Sequence, residues 1–325
     1  MKVQSLRERE LVSSIRKEFS AGPRDLLLGI GDDAAVVRGT GKRCVLTTDL
    51  LIENVHFIVS LHPPYYLGRK SLNVNLSDIA AMGGKPRFAL LGLALRKGVE
   101  KPWVRDFFKG LRAAAEEAGV ALVGGDVSGA RRIVISFTIL GEVGRFIRRS
   151  GAGPGDVIFV SGCLGDAAAG FRLLRKGYRL GMGDAADRLL RAFLDPRPQL
   201  ALGRALARLR AATSMIDTSD GLSTDLLHLC EESGTGAEVE LEKLPHSPAI
   251  RAYDKRPARL ALHGGEDYQL LFTVSPQKVA ELAALRRKFA LHEIGRMMRE
   301  KGIVVVDGKG KKRALEPGGY EHLLE

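Results

Sequence analysis

Aspartates recur in this chain where strands stop and helices start, often beside hydroxyl residues. The stretch "GIGDDAAV" sets Asp32 and Asp33 side by side between a glycine turn and an apolar run. "TTD" places Asp49 behind Thr47 and Thr48, and "NLSD" places Asp78 within a helical stretch of small and apolar residues. "GGD" puts Asp126 at a strand end where glycines admit a ligand to the backbone, and "DTSDG" puts Asp217, Ser219 and Asp220 ahead of a helix. Each has a plain structural reading. The Asp pair suits a tight turn, Asp49 a strand-end turn, Asp126 a loop, and Asp220 a helix N-cap. Asp78 fits such a reading least, because aspartate is unfavourable inside a helix. Taken together, acidic positions with hydroxyl neighbours describe hard, oxygen-rich ligation. That suits Mg²⁺, which takes carboxylates, water and substrate phosphates. Several such ions in one site imply a polyanionic reactant, with Asp33 and Asp32 as neighbours of a cation.

Other chemistries lack their motifs. "GTGKR" misses the spacing of a phosphate-binding loop and its closing Ser or Thr. "GAGPG" has no third glycine of a dinucleotide fingerprint and does not join a strand to a helix. There is no GxSxG elbow, no HExxH and no cysteine ligand set. The three cysteines, Cys44, Cys163 and Cys230, are far apart, as expected of reduced thiols in a cytoplasm. The charge of +12 is scattered along the chain without finger spacing or RNP-type aromatics, so anionic metabolites are expected partners rather than nucleic acid. No apolar run is long enough for a membrane span, and the polar "MKVQSLRERE" is no signal peptide.

The elements that must position these residues follow from periodicity. Residues 4–20 read as an amphipathic helix, with Leu11, Ile15 and Phe19 four apart. "CVLTTD" reads as a short strand. A helix opens at Pro63 and Pro64 and stops at Gly83 and Gly84; a second opens at Pro102 and stops at Gly119. "RFALLGLAL", "VALVGGD" and "RRIVISFTILGEV" read as strands. Glycine-rich "RSGAGPGD" marks a joint, giving domains 1–148 and 149–325. Beyond it, "DVIFVSG", "YQLLFTV", "HEIGRM" and "GIVVVDG" read as strands; "GDAAAGFRLLRKG", "AADRLLRAFL", "PQLALGRALARLRAA" and the stretch from "SDGLSTDLLHLCEESG" read as helices. Strands and helices mix without strict alternation, which favours two α+β domains.

"GIGDDAAV", "TTDLLIENVHF", "SLNVNLSDIAAMGG", "VGGD", "RSGAGPGD", "DTSDGL" and "GGEDYQLLFTV" occur here in one order, and the set resembles the thiamine-monophosphate kinase family. That family belongs to the aminoimidazole-ribonucleotide synthetase-like ATP-binding superfamily. The resemblance runs from about residue 8 to "GGYEHL". It implies ATP-dependent phosphorylation of thiamine monophosphate to thiamine diphosphate, with several Mg²⁺ ions. It implies a homodimer whose N-terminal α+β domains share a β-barrel, and a C-terminal α/β domain packed beside each. By matching motifs, Asp33, Thr47, Thr48, Asp49, Asp78, Asp126, Asp217 and Asp220 look like metal ligands. Phe108, Gly125, Asp126, Arg149 and Ser219 look like nucleotide contacts; His56, Glu266 and Tyr320 look like contacts to the thiamine substrate. Phe108 departs from the tyrosine often found in relatives, which leaves a stacking ring without a hydroxyl.

Within the superfamily the rivals lack their own signatures here. Selenophosphate synthetase is expected to carry a reactive cysteine near its N-terminus, whereas the first here is Cys44. A hydrogenase-maturation dehydratase needs a C-terminal cysteine, absent from "GGYEHLLE". A nucleotide-sensing module without turnover is the reading from another class.

Overall fold

The computed structural model describes residues 6–7, 12–13, 15–17, 23–320 and 323–324. After the short β1 (Leu6–Arg7) come β2 (Leu26–Leu28), β3 (Ala35–Arg38) and β4 (Arg43–Ile52). Helix α1 (Pro64–Ala81), β5 (Lys85–Arg96), α2 (Lys101–Ala118), β6 (Ala121–Ala130) and β7 (Val134–Val143) follow. They build a six-stranded sheet in the order β2-β3-β4-β7-β5-β6, antiparallel except for the β5–β6 pair. The sheet is open, with β2 and β6 as its edges, and does not close into a barrel within the chain.

The rest of the chain runs β8 (Val157–Ser161), α3 (Asp166–Arg175), α4 (Asp184–Leu194), α5 (Leu200–Leu209), β9 (Ala212–Asp217) and α6 (Leu222–Ser233). Then come β10 (Gly236–Glu240), α7 (Pro248–Tyr253), α8 (Pro257–His263), β11 (Leu270–Val274), α9 (Ala283–Arg286), β12 (Leu291–Met298), β13 (Gly302–Val306) and β14 (Lys312–Ala314). The seven strands order as β14-β13-β10-β12-β8-β11-β9, with only β10–β13 parallel. Finally β15 (Leu323–Leu324) returns to pair with β1. The result is a mixed α+β fold of two domains, each with its own sheet.

Helix α1 positions the site. Its start needs no amide donor, so Pro64 fits there, and Gly83 at φ 71° ends it. Leu67, Leu72, Leu76 and Ile79 enter the core of the first sheet, whereas Ala80 and Ala81 pack with Leu202, Leu206 and Phe272 of the second. A helix buried on both sides has little room. A Cβ on Gly68 would lie 2.0 Å from the Phe107 carbonyl oxygen, and one on Gly203 2.0 Å from that of Ala80. Glycine is therefore what lets α2 and α5 approach. In the second sheet, "VIFVS" and "LLFTV" are buried throughout. Helices α6 and α8 cover one face through Leu226, Leu229 and Leu262, and α5 covers the other, so both strands read as apolar runs without alternation.

Three expectations change. The helix expected over 4–20 does not begin at residue 4, because Leu6 and Arg7 pair with the C-terminal strand. Residues 12, 13 and 15–17 are helical, and the remainder of that expectation lies outside the described residues. "CVLTTD" belongs to a ten-residue strand, since β4 pairs with β7 from Arg43 to Ile52. The helix expected over "PQLALGRALARLRAA" stops at Leu209, where Arg210 turns left-handed at φ 56°, and Ala212 already opens β9.

Candidate active site

The turn before β3, the buried helix α1 and the end of β9 bring Asp33, Asp78 and Asp217 together. Each offers one carboxylate oxygen, and these lie within 4.8 Å of one another. Asp33 and Asp217 are buried, and Oδ2 of each has no hydrogen-bond partner. Bringing carboxylates together away from water disfavours their charged forms. Burial, then the Asp33 charge, pushes Asp217 up to about 8, against the Ser77 hydroxyl and Arg149. Burial, then the charges of Asp49, Asp217 and Asp33, holds Asp78 well above the usual carboxylate range. An all-oxygen donor set with two orphaned oxygens, compact enough for one ion, fits a hard divalent cation such as Mg²⁺.

The pair Asp32–Asp33 divides its work. Asp32 Oδ1 accepts the backbone N–H of Arg149 at 2.6 Å, while Asp33 Oδ1 accepts its guanidinium Nη2 at 2.7 Å. The two carboxylates thus clamp the segment that joins the sheets. They also set one fixed cation beside the trio, leaving Asp33 Oδ2 for another. Strand alternation separates the "TTD" residues. Thr47 Oγ1 donates to Asp78 Oδ2 at 2.5 Å, and Asp49, two residues on, shares that face. Asn75 of α1 accepts the Asp49 backbone N–H at 3.0 Å, tying the strand to the helix. Thr48 points to the other face, where its hydroxyl donates to the Phe137 carbonyl at 2.9 Å.

The "DTSDG", "GGEDY" and tail motifs meet through main-chain bonds. The Glu266 N–H donates to the Ser219 carbonyl at 2.7 Å, and the Tyr268 N–H to that of Thr218 at 2.9 Å. The Tyr320 N–H donates to the Asp220 carbonyl at 3.1 Å, and Gly319 N–H to Thr224 Oγ1 at 3.2 Å. Asp220 is not the helix cap. That position falls to Gly221 at φ 116°, whose N–H goes to Asp225 Oδ2 at 3.0 Å. Glu266 at φ 68° and Tyr268 at φ 48° both occupy the left-handed region, a strain that surrounding structure must hold.

His56 follows β4 in a turn, and its Nδ1 accepts the Ile52 N–H at 2.9 Å, which places the proton of the neutral ring on Nε2. Gly125, at φ 152°, lies on edge strand β6, where a Cβ would meet the Leu91 carbonyl at 1.9 Å. Asp126 does not end its strand as expected: it lies within β6, which pairs with β5 as far as Ala130, in register with Gly92 of β5, and is exposed. Phe108 stands on the outer side of α2, 37% exposed and edge-on to Phe107.

Sequence reasoning missed Lys70 and Tyr268. Lys70 is fully buried in α1, with Nζ 2.9 Å from Glu266 Oε1 and 3.7 Å from the Phe193 ring centre. A lysine inside the helix run "GRKSLNVNL" was the available signal. The Tyr268 hydroxyl is held well above its ordinary pKa, by burial first and then by Glu266, Asp49, Asp217 and Asp220. It therefore stands in the field of both groups of acids.

The family description "AIR synthase related protein, N-terminal domain" matches residues 31–143, and its C-terminal counterpart matches 153–308. The thiamine-monophosphate kinase of Aquifex aeolicus is 37% identical over 99% of this chain and 100% of its own. The structure of AaThiL complexed with AMPPCP and TMP superposes with a TM-score of 0.88 at 36% identity, covering 99% of each chain. The thiamine-monophosphate kinase structure from Stenotrophomonas maltophilia K279a gives 0.77 at 37% identity, covering 93% of this chain and 97% of that one. With three of its motif aspartates brought together and these likenesses spanning nearly all of it, the chain belongs to the thiamine-monophosphate kinase family.

Proposed function

We propose that this chain transfers the γ-phosphoryl group of ATP to thiamine monophosphate, giving ADP and thiamine diphosphate. The observation that carries the reading is the aspartate trio, two of them buried with an orphaned oxygen each, in a chain that aligns throughout with a protein complexed with AMPPCP and TMP. A phosphate monoester has a second pKa of about 6, so at neutral pH its oxygen is already a nucleophile and needs no general base. The task is to align two polyanions and offset their repulsion. Mg²⁺, when bound, supplies that charge and orients the phosphates. Asp33, Asp49, Asp78 and Asp217 would hold it, with Thr47 keeping Asp78 turned inward; Thr48, Asp126 and Asp220 are the ligands proposed for further ions. Arg149 adds a fixed positive charge. Gly125, Asp126 and Ser219 serve the nucleotide, and Phe108 offers its adenine a ring without a hydroxyl. His56 presents Nε2–H, and with Glu266 and Tyr320 it serves the thiamine part.

Assay of purified protein with Mg²⁺, ATP and thiamine monophosphate tests the reading: ADP and thiamine diphosphate are expected. AMP as co-product, or no thiamine diphosphate, overturns it. Free thiamine is expected to be a poor acceptor, since its hydroxyl carries no metal-binding phosphate.

A homodimer through the N-terminal sheet belongs to the same proposal. Every residue of edge strand β6 is exposed; Leu122, Val123 and Val127 leave apolar surface on it, as Phe88 and Leu90 do on neighbouring β5 and Leu50 on β4. A long apolar edge invites pairing with a second copy, as completion of a shared barrel requires. A monomer mass in light scattering at micromolar concentration would count against it. The domain boundary at 148/149 is supported by the gap between the two family matches. The three unpaired cysteines support the proposal of a cytoplasmic location. No described helix is long and apolar enough to cross a membrane.

A further inference from the structure

A lysine with no exposed surface is expensive to keep charged, because burial disfavours the ammonium. Lys70 nevertheless lies entirely inside the protein, with Glu266 and the face of Phe193, among the described residues, to offset its charge. Helix α1 supplies Lys70, the loop before β11 supplies Glu266 and α4 supplies Phe193, so three elements converge on one ammonium. Glu266 is different: its side chain is 31% exposed, its backbone is left-handed, and Lys70 is its ion-pair partner among the described residues. Oε1 is committed to Lys70 and Oε2 is left over. A bare carboxylate here would also add repulsion toward a phosphorylated acceptor, beside Tyr268, on which Asp217 and Asp49 already act.

We propose that Lys70 is a positioning residue for acceptor binding: it locks one Glu266 oxygen and offsets its charge, so that the other oxygen receives a hydrogen-bond donor of the thiamine part. The inference rests on the reading that Glu266 contacts that part of the substrate. The pair recognises a ligand without presenting net charge to its phosphate, and Phe193 fixes the ammonium from behind. Lys70 touches neither substrate nor nucleotide.

The test is steady-state kinetics on three dimensional relatives of the pair: Lys70→Met, Glu266→Gln, and the two combined. Lys70→Met keeps length and apolar bulk against Phe193. It is expected to raise KM for thiamine monophosphate about tenfold, with kcat within threefold and KM for ATP unchanged. Glu266→Gln strands a buried ammonium and is expected to lower the unfolding temperature, which the double variant restores. The double variant is expected to show a KM no higher than the worse single variant, because both substitutions break one arrangement. If Lys70→Met yields too little folded protein, Lys70→Gln, which retains a donor without the charge, is expected to show a smaller rise in the same KM. A wild-type KM in the Lys70 variants alongside a raised KM in the double variant would overturn the proposal for Lys70 and leave Glu266 as a substrate contact. A wild-type KM in all of them would overturn the reading of Glu266 as well.

Discussion

The acidic trio and the Lys70–Glu266 pair, whose Asp217 and Glu266 both act on Tyr268, handle charge in opposite ways. Asp33, Asp78 and Asp217 gather like charges and leave two oxygens unsatisfied. Lys70 and Glu266 offset one another within 2.9 Å, with an aromatic face behind the ammonium. The first region holds like charges with no compensating cation of its own, among the described residues, beyond Arg149; the second offsets its charge within the protein and leaves one Glu266 oxygen over. On the proposed reading the trio should therefore respond to cation and to charge removal, and the pair to shape and contact.

The sharpest way to break this contrast is Asp78→Asn, which keeps the shape and removes the charge. Turnover is expected to fall about a thousandfold with far-UV circular dichroism unchanged, as loss of a metal-dependent stabilisation would produce. Near-normal activity at ordinary Mg²⁺ would return Asp78 to a structural role.

Next comes pH and cation together. The carboxyl pKa of Asp217 is raised in the folded chain, so the folded state retains protons that the unfolded chain has already lost. In metal-free protein this contribution lowers stability as pH rises from about 4, the ordinary carboxylate value, towards 8. Mg²⁺ held by the trio, as proposed, would replace those protons, so its increase in unfolding temperature is expected to be larger at pH 8.5 than at pH 5.5. A gain that does not vary with pH would contradict it.

His62, beside Phe193 and Lys70, gives the opposite sign. Burial, then the Lys70 charge, lowers its pKa to about 3, so the folded chain refuses a proton that the unfolded chain accepts below the ordinary value. Its stabilising contribution is present above about pH 6.5 and lost as pH falls from there. At pH 5 the loss is about 2 kcal/mol, at 1.36 kcal/mol per unit. His62→Phe should therefore lose less stability than wild type between pH 7 and pH 5 by chemical denaturation; parallel losses would reject it.

The smallest effect is expected at the tail. Tyr320→Ala should raise KM for thiamine monophosphate about tenfold with little change in kcat, the signature of binding lost equally from ground and transition states. KM for ATP should hold. A collapse of kcat, or equal rises in both KM values, would mean that Tyr320 orders the whole cleft.

Much of the fold was legible in sequence because it depends on short-range rules. The proline starts and glycine stops of α1 and α2 required only local geometry, and the apolar runs of β8 and β11 announced strands buried on both faces. Strand β9 was not legible. "ATSMID" has small polar residues where a strand usually shows branched ones, and its Thr213 and Ser214 hydroxyls are satisfied by Thr273 of β11, sixty and fifty-nine residues away. The same holds at the acidic site. Residue type alone said that Asp33, Asp49, Asp78 and Asp217 suit a hard cation, because carboxylate chemistry travels with the side chain. It could not say which would meet.

That was decided by tertiary structure. Alternation along β4 turned Thr47 toward Asp78 and Thr48 away from it. The Arg149 clamp split two adjacent aspartates between a backbone amide and a guanidinium. Lys70, unremarked in the sequence, became the partner of Glu266 only because α1 is buried between two sheets and a charge there must find its opposite across the chain. Sequence by itself determined the chemical alphabet and the local elements, since those depend on side-chain type and near neighbours. Burial and long-range pairing determined which charges stand together, because the energy of a charge depends on what surrounds it rather than on what precedes it.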